Sequence, residues 1–183
     1  MNDAPLDKQA LRRAARSARQ ALGPHPPIIA PPPPFTALLA PGMIVASYVP
    51  VGSEADPTAL VSAARAAGCR IALPHVIDRE TPLRFLEWQH DAPLATGPFR
   101  LRQPDADAPE LVPDLILTPL VAFDRTLARL GQGAGHYDRA FAAYPNAHRI
   151  GVAFSVQEVE RLPVDPWDVP LHAIITEQEW ITS

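Results

Sequence analysis

The sequence predicts a single α/β domain with a mostly parallel central sheet and helices on both faces, a Rossmann-like three-layer sandwich. Its 183 residues are 47% hydrophobic and 20% charged, which is typical of one globular domain with its own core. Short apolar runs that predict buried strands alternate with helical segments, and the links between them are short. This alternation is typical of βαβ units, in which a crossover helix joins two parallel strands.

The amino-terminal part of the chain predicts one helix followed by a proline-rich connector. The helix, residues 7–22, carries four basic side chains on one face: Lys8, Arg12, Arg16 and Arg19. This face is either solvated or binds an anion, and helical spacing alone does not decide between the two. Seven of the 23 prolines lie within residues 24–34, which predicts an extended surface connector because proline fixes φ and lacks a backbone donor.

The next segment predicts a βαβ unit. Residues 43–49 form an apolar run typical of a buried strand, and residues 57–67 predict a helix that Asp56 caps. Residues 69–73 predict the next strand, which we expect Pro74 to stop. The remaining predicted elements are a weaker strand at 83–88, mostly irregular chain at 89–113, a strand at 115–118 stopped by Pro119, a helix at about 136–144, and strands at 148–154 and, as the last, 173–176.

Composition limits the classes of function. The net charge of −4 gives no electrostatic reason to expect binding to nucleic acid or to an anionic membrane. The lone Cys69 predicts a core thiol, and the scattered histidines lack zinc-ligand spacing. No stretch approaches the roughly 20 apolar residues of a membrane span, so we expect a cytoplasmic protein. We also expect a monomer.

One glycine-rich segment carries the strongest chemical signal. Gly131, Gly133 and Gly135 lie between a predicted strand and a predicted helix, where backbone N–H groups and a helix N-terminus can bind phosphate. Arg129 and Arg139 flank the segment, and Asp138 could hold Mg²⁺. Its spacing matches neither GxxxxGK[ST] nor GxGxxG, so an ordinary glycine turn remains the alternative.

Together with its flanks, this segment resembles the signature of the 5-formyltetrahydrofolate cyclo-ligase family. That signature is an apolar strand, a PLxAFD turn and RLGxGxGYYDR, and residues 113–124 and 129–139 follow its order and spacing. The resemblance extends along nearly the whole chain. Further matches are Lys8 with Leu11-Arg12 to KxxLR, residues 48–56 to YxPxxxExD, Leu73-Pro74 to a strand-end LP, and 151–157, 162–163, 168 and 175–177 to the closing segment.

The chain also departs from the family pattern. It has His136-Tyr137 where two tyrosines are usual, Ala134 for glycine or lysine, Gln103 for the acid of GIxEP at residues 100–104, and Trp167-Asp168 for HD. The proline run replaces a stretch that is commonly helical. These departures motivate an alternative, a non-catalytic folate- or nucleotide-binding protein of the same fold. A sugar-phosphate or CoA enzyme is a third reading, but no motif supports it.

The resemblance implies a reaction and a set of site residues. ATP, as co-substrate with Mg²⁺, phosphorylates the formyl oxygen of 5-formyltetrahydrofolate, N10 attacks the activated carbon, and phosphate leaves to give 5,10-methenyltetrahydrofolate. No covalent protein nucleophile is expected. The implied ATP-binding residues are Lys8, Arg12, Arg129, Leu130, Gly131, Gln132, Gly133, Ala134, Gly135, His136 and Tyr137. The implied substrate-binding residues are Val49, Glu54, Gln132, Gly133, Ala134, Gly135 and His136, and the implied metal ligands are Asp138 and Asp168.

Residues taken singly also have simpler interpretations. Glu54 and Asp56 are also compatible with loop and cap roles, and Asp168 with a solvated carboxylate. His136 either contacts phosphate or folate, or fills the space of the tyrosine that is usual in the family.

Overall fold

A computed structural model describes residues 7–183, so the first six residues of the predicted domain lie outside it. The helices are α1 (Lys8–Gln20), α2 (Pro33–Leu38), α3 (Thr58–Ala66) and α4 (His136–Ala143). The strands are β1 (Ile44–Ala46), β2 (Arg70–His75), β3 (Arg84–Glu87), β4 (Ala95–Thr96), β5 (Arg102–Gln103), β6 (Leu115–Pro119), β7 (Ala122–Phe123), β8 (Arg129–Leu130), β9 (His148–Val152), β10 (Ala173–Ile175) and β11 (Trp180–Ile181).

Seven strands form the central sheet in the order β11-β10-β9-β6-β1-β2-β3. The five inner strands run parallel, and the two edge strands, β3 and β11, are antiparallel to their neighbours. Two short antiparallel hairpins, β4–β5 and β7–β8, lie outside this sheet. The predicted mostly parallel α/β sheet is therefore confirmed.

Both faces of the sheet are covered by helices, as predicted. On one face, Phe35 of α2 and Leu60 of α3 are fully buried in a cluster that includes Val45 and Leu117 of the sheet. On the other face, the buried Phe141 of α4 belongs to a second cluster. Strand residues alternate between the two clusters, so neighbouring side chains of one strand point to opposite faces.

The sequence prediction is wrong at two proline-containing segments, the end of β2 and the end of the proline-rich connector. Pro74 does not stop β2, which continues to His75. Beyond Ala72, β2 is paired in register only with β3, so the missing N–H of Pro74 is tolerated there. The predicted connector ends early, because Pro33 and Pro34 form the first turn of α2, where proline is well accommodated.

Several short elements were not predicted. They are α2, the hairpins β4–β5 and β7–β8, and β11, which follows the strand predicted to be the last. Each of these strands has only two residues, too few to show a periodic pattern. The hairpin β7–β8 matters most, because it leads directly into the glycine segment and packs against α1 through a cluster of Ala15, Val121 and Leu130.

Helix α1 begins at a capped position. The Asp7 side chain accepts a hydrogen bond from the Gln9 N–H at 2.8 Å, which satisfies one of the free donors at the helix start. Leu11 and Ala15 pack against the β7–β8 hairpin. Within residues 7–183, no helix has the length and apolar character needed to cross a bilayer.

Candidate active site

The backbone of the glycine segment, residues 131–135, takes conformations that favour glycine at two positions. Gly133 has φ of +107° and Gly135 has φ of +69°, a region that residues with a side chain rarely adopt. A Cβ at Gly135 would lie 2.9 Å from a terminal nitrogen of Arg139. A side chain at Gly133 or Gly135 would therefore strain the backbone, and at Gly135 it would also displace the end of the Arg139 side chain.

The basic face of α1 lies against this segment. Arg12 Nε donates to the carbonyl of Gly131 at 2.9 Å, and a Cβ built on Gly133 would lie 3.7 Å from the Arg12 guanidinium. Arg16 donates to the side-chain oxygen of Gln132. Arg12 and Arg16 of this face therefore contact the glycine segment as well as solvent.

The segment that follows β1 reaches the same place. Glu54 accepts a hydrogen bond from Gln132 Nε2 at 3.1 Å and a second from the Val51 N–H at 2.9 Å. Val49 is half-buried in the same segment. Arg19, which is buried, donates from Nε to Ser53 Oγ at 3.0 Å. Three regions that the sequence singles out, α1, the glycine segment and residues 49–54, therefore meet.

The two predicted metal ligands line one cavity. Asp138, at the start of α4, and Asp168 both border a space of about 130 Å³, together with Arg129. Asp138 accepts from Arg129 Nη2 at 2.5 Å, and Asp168 lies 3.3 Å from Lys8 Nζ. No cluster of three or more potential metal-ligating side chains is found in residues 7–183. Two carboxylates fit Mg²⁺, which takes its other ligands from phosphate and water.

Arg129 places a positive charge in the wall of this cavity. Its side chain is only 6% exposed, and its Nε is buried without a hydrogen-bond partner. Burial lowers the pKa of Arg129, and the charge of Asp138 opposes that shift. An arginine remains protonated in such a place, so one of the residues that border the cavity is a buried cation, which suits an anion.

Lys8 lies beside the same cavity. Burial lowers the pKa of its ammonium, but hydrogen bonds and charges from Asp165 and Asp168 outweigh this effect, and the pKa is raised overall. Asp165, which the sequence analysis missed, contacts Lys8 Nζ at 2.5 Å. The only sequence signal for it is an acid three residues before Asp168 in a proline-containing loop, which is too common a pattern to single it out.

His136 and Tyr137 differ in their surroundings. His136 Nδ1 lies 3.3 Å from Arg139 Nη2, and burial, together with the charges of Arg139 and Arg79, lowers the pKa of His136. Burial raises the pKa of the Tyr137 phenol, so both side chains are neutral near pH 7. Tyr137 packs beside Phe141, with ring centroids 6.1 Å apart.

Three further positions that the sequence singles out make contacts within the protein. The Leu130 side chain is buried in the cluster with α1, and its carbonyl accepts from the Val121 N–H at 2.7 Å, so little of Leu130 faces a ligand. Gln103 is buried, and its amide accepts from the Val76 N–H at 3.0 Å and donates to the Val76 carbonyl at 3.3 Å. A carboxylate could make only the first of these bonds. Ala134 is exposed, and its carbonyl accepts from Arg139 at 3.0 Å.

Comparison with known proteins identifies close counterparts. The sequence model of the 5-formyltetrahydrofolate cyclo-ligase family matches residues 38–177. A 5-formyltetrahydrofolate cyclo-ligase of Escherichia coli is 34% identical over 147 residues, which span 74% of this chain and 80% of the relative.

Solved structures give the same result. The 5,10-methenyltetrahydrofolate synthetase of Mycoplasma pneumoniae superposes with a TM-score of 0.67 at 26% identity, over 94% of this chain and 99% of that one. The Aquifex aeolicus 5,10-methenyltetrahydrofolate synthetase superposes with a TM-score of 0.66 at 29% identity, over 97% of this chain and 84% of that one.

Proposed function

The chain belongs to the 5-formyltetrahydrofolate cyclo-ligase family, and on that premise we propose that its glycine segment and basic helix bind ATP beside 5-formyltetrahydrofolate. The protein is an ATP-dependent ligase of folate metabolism that forms 5,10-methenyltetrahydrofolate. The observation that supports this site best is the meeting of Arg12, Gly131, Gln132 and Glu54, because a glycine-rich backbone suited to phosphate then lies next to a carboxylate suited to the folate.

The reaction needs an activated formyl oxygen. An amide oxygen leaves poorly, so the formyl oxygen first attacks the γ-phosphorus of ATP and ADP departs. N10 then attacks the formyl carbon, and the oxygen leaves as phosphate. The protein's part in such phosphoryl transfer is to position the reactants and to neutralise charge, which requires no covalent nucleophile.

Each cluster of side chains has a task in this scheme. Lys8, Arg12 and Arg129 neutralise the phosphates, and the N–H groups of residues 131–137 surround them. Glu54, held by Gln132 and Val51, orients the pterin or formyl group, and Val49 forms an apolar wall. Residues 132–136, which are most of the glycine segment together with His136, border both substrates, so they can align the γ-phosphate with the formyl oxygen.

We assign Mg²⁺ to Asp138 and Asp168, which line the same cavity as the buried Arg129. When bound, the ion neutralises charge that develops on the phosphate oxygens. Asp138 also holds Arg129 in place through their ion pair. Asp168 joins the cavity to Lys8, so the metal ligands and the phosphate ligands are neighbours.

The remaining assignments concern the enzyme's location, oligomeric state and binding partners. We propose that it acts as a monomer in the cytoplasm and binds neither nucleic acid nor a membrane. The small negative net charge supports this view, because a nucleic-acid site needs a basic surface. Size-exclusion chromatography with light scattering over a tenfold range of protein concentration measures the oligomeric state.

A turnover assay tests the function. The purified protein is incubated with 5-formyltetrahydrofolate, ATP and Mg²⁺, and the methenyl product is followed by its near-ultraviolet absorbance. We expect ADP, phosphate and methenyl product in equal amounts, and no product when ATP is omitted. Binding of both substrates without any product would instead support a non-catalytic folate- or nucleotide-binding protein.

A further inference from the structure

Lys8 is held between two carboxylates of the loop that precedes β10. Its Nζ lies 2.5 Å from Asp165 Oδ2 and 3.3 Å from Asp168 Oδ2. The two aspartates belong to one turn, in which the Asp168 N–H donates to the Asp165 carbonyl at 3.0 Å. Asp168 Oδ2 also accepts from the Asp165 N–H at 2.8 Å. The turn therefore presents both carboxylates to one ammonium group.

The proposed function gives the Asp168 carboxylate two cationic partners, the Lys8 ammonium and Mg²⁺. Asp168 is assigned to the cation, yet its Oδ2 contacts the ammonium of Lys8. An ammonium and Mg²⁺ repel each other, so the Lys8–Asp168 contact must weaken when the cation binds. Lys8, for its part, has to remain near the phosphates. The shorter of its two contacts is the one with Asp165, which borders no part of the cavity lined by Asp138 and Asp168.

We propose that Asp165 is a positioning residue that retains the Lys8 ammonium when Asp168 turns to the cation of MgATP. This inference rests on the proposed function. Asp165 keeps Lys8 beside the phosphates and removes it from competition for Asp168. If Asp165 lacked its charge, Asp168 would be the nearest counter-charge of Lys8, and the two would pair more tightly. The cation would then have to displace Lys8 in order to bind.

The geometry separates this role from a structural one. Asp165 contributes to its turn through its backbone N–H and carbonyl, which an asparagine would preserve. Within residues 7–183, the Asp165 carboxylate has Lys8 as its one hydrogen-bond partner, and the side chain is 42% exposed. Replacing the carboxylate by an amide therefore changes its contact with Lys8 and leaves the turn in place.

The test measures how much Mg²⁺ strengthens nucleotide binding. The non-hydrolysable analogue AMP-PNP is titrated by calorimetry, once with excess Mg²⁺ and once with EDTA. The dissociation constant measured in EDTA, divided by the one measured in Mg²⁺, is the magnesium advantage. In Asp165→Asn we expect this ratio to fall about fivefold, the usual coupling between side chains in contact. Asp165→Glu should restore most of it. The matched control, Asp107→Asn, removes an exposed carboxylate from another loop and should leave the ratio unchanged.

A second cycle identifies the partner. In a Lys8→Met background, Asp165→Asn should have no further effect on the magnesium advantage, because the competing ammonium is gone. An unchanged ratio in Asp165→Asn, or an equal fall with and without Lys8, would overturn the inference while leaving the enzyme's function intact. A wild-type protein that neither binds MgAMP-PNP nor forms methenyl product would overturn the proposed function itself, and this inference with it.

Discussion

Gln132 and Glu54, which lie 78 positions apart in the chain, share a hydrogen bond of 3.1 Å from the glutamine amide to a carboxylate oxygen. This bond connects the glycine segment to the segment after β1. The opposite end of the Gln132 amide accepts from Arg16 of α1. One exposed glutamine thus joins the proposed nucleotide side of the site to the proposed folate side.

The first prediction concerns this glutamine. Gln132→Ala should raise KM for 5-formyltetrahydrofolate by about three- to tenfold, because Glu54 loses a donor worth about 1 kcal/mol. The value of kcat should change less. Steady-state kinetics with both substrates varied gives these constants. Gln9→Ala, an exposed glutamine on α1, is the control. Equal KM values in the two variants would show that the Gln132–Glu54 bond does not orient the folate.

The second prediction compares two neighbouring arginines. Arg12 donates to Gly131, whereas Arg13 is 68% exposed and only approaches Asp7 at 3.8 Å. Arg12→Ala should weaken ATP binding about ten- to hundredfold, the range for charge-assisted hydrogen bonds, with folate affinity nearly unchanged. Arg13→Ala should bind ATP as the wild type does. Calorimetric titration with AMP-PNP measures both, and matching losses would assign the effect to net charge.

The alternation of strands and helices could be predicted from sequence because it depends on local patterns. The apolar runs at 43–49 and 148–154 contain three and two β-branched residues, and their burial requires helices on both sides. The glycine segment was recognisable for the same reason, since its positive φ angles require a particular residue type at fixed positions.

The contacts that complete the site could not be predicted in this way. Lys8 and Asp165 are 157 positions apart, and the sequence offers no pattern that pairs them. Likewise, Asp138 could be proposed as a metal ligand, but its ion pair with the buried Arg129 depends on how the β7–β8 hairpin packs against α4. Such contacts are set by tertiary packing, which acts between segments rather than within them.

The third prediction concerns His136. Burial first, and then the charges of Arg139 and Arg79, lower its pKa from 6.5, so the ring is neutral at pH 7 and cannot supply a positive charge to phosphate. His136→Tyr should therefore change kcat by less than about threefold and leave the pH profile between about 6 and 7.5 as it is in the wild type. Profiles of both proteins at saturating ATP test this. An inflection present only in the wild type would assign His136 a titrating role.

The fourth prediction concerns stability and two histidines, His148 at the amino-terminal end of β9 and His172 just before β10. The rings of His148 and His172 stack with centroids 4.5 Å apart. Burial and the charge of Arg149 lower the pKa of both histidines from 6.5. A lowered pKa means that the unfolded chain takes up protons first as pH falls. Their contribution to stability is therefore full above about pH 6.5 and is lost below it.

Replacing both histidines with asparagine isolates this effect. As the pH falls from about 7.5 to about 5.5, the free energy of unfolding should decrease more in the wild type than in His148→Asn/His172→Asn. The extra decrease should be less than about 1 kcal/mol, because both rings are partly exposed. Urea unfolding at each pH gives the values. A constant difference across this range would refute the predicted protonation.

The last prediction concerns Asp138, which pairs with Arg129 and is also the proposed ligand of Mg²⁺. Its carboxylate pairs with Arg129 at 2.5 Å, and it borders the cavity assigned to Mg²⁺. Asp138→Asn keeps one oxygen that can accept from Arg129, but the buried guanidinium loses its counter-charge. We expect a loss of about 1–3 kcal/mol in the free energy of unfolding, and turnover at least about tenfold lower at every Mg²⁺ concentration.

A second substitution, at Arg129, tests whether the lost stability comes from the unpaired buried charge. In Arg129→Met/Asp138→Asn, the buried charge is gone, so most of the stability should return, since a buried ion pair can be replaced by apolar groups at little cost. Turnover should stay low, because the cation still lacks its carboxylate and the phosphates also lose Arg129, so the role of Asp138 in turnover is measured in Asp138→Asn alone. Urea unfolding and the methenyl absorbance assay measure the two quantities on the same samples. If Asp138→Asn alone, stable or not, turned over normally at low Mg²⁺, another group would have to be the metal ligand.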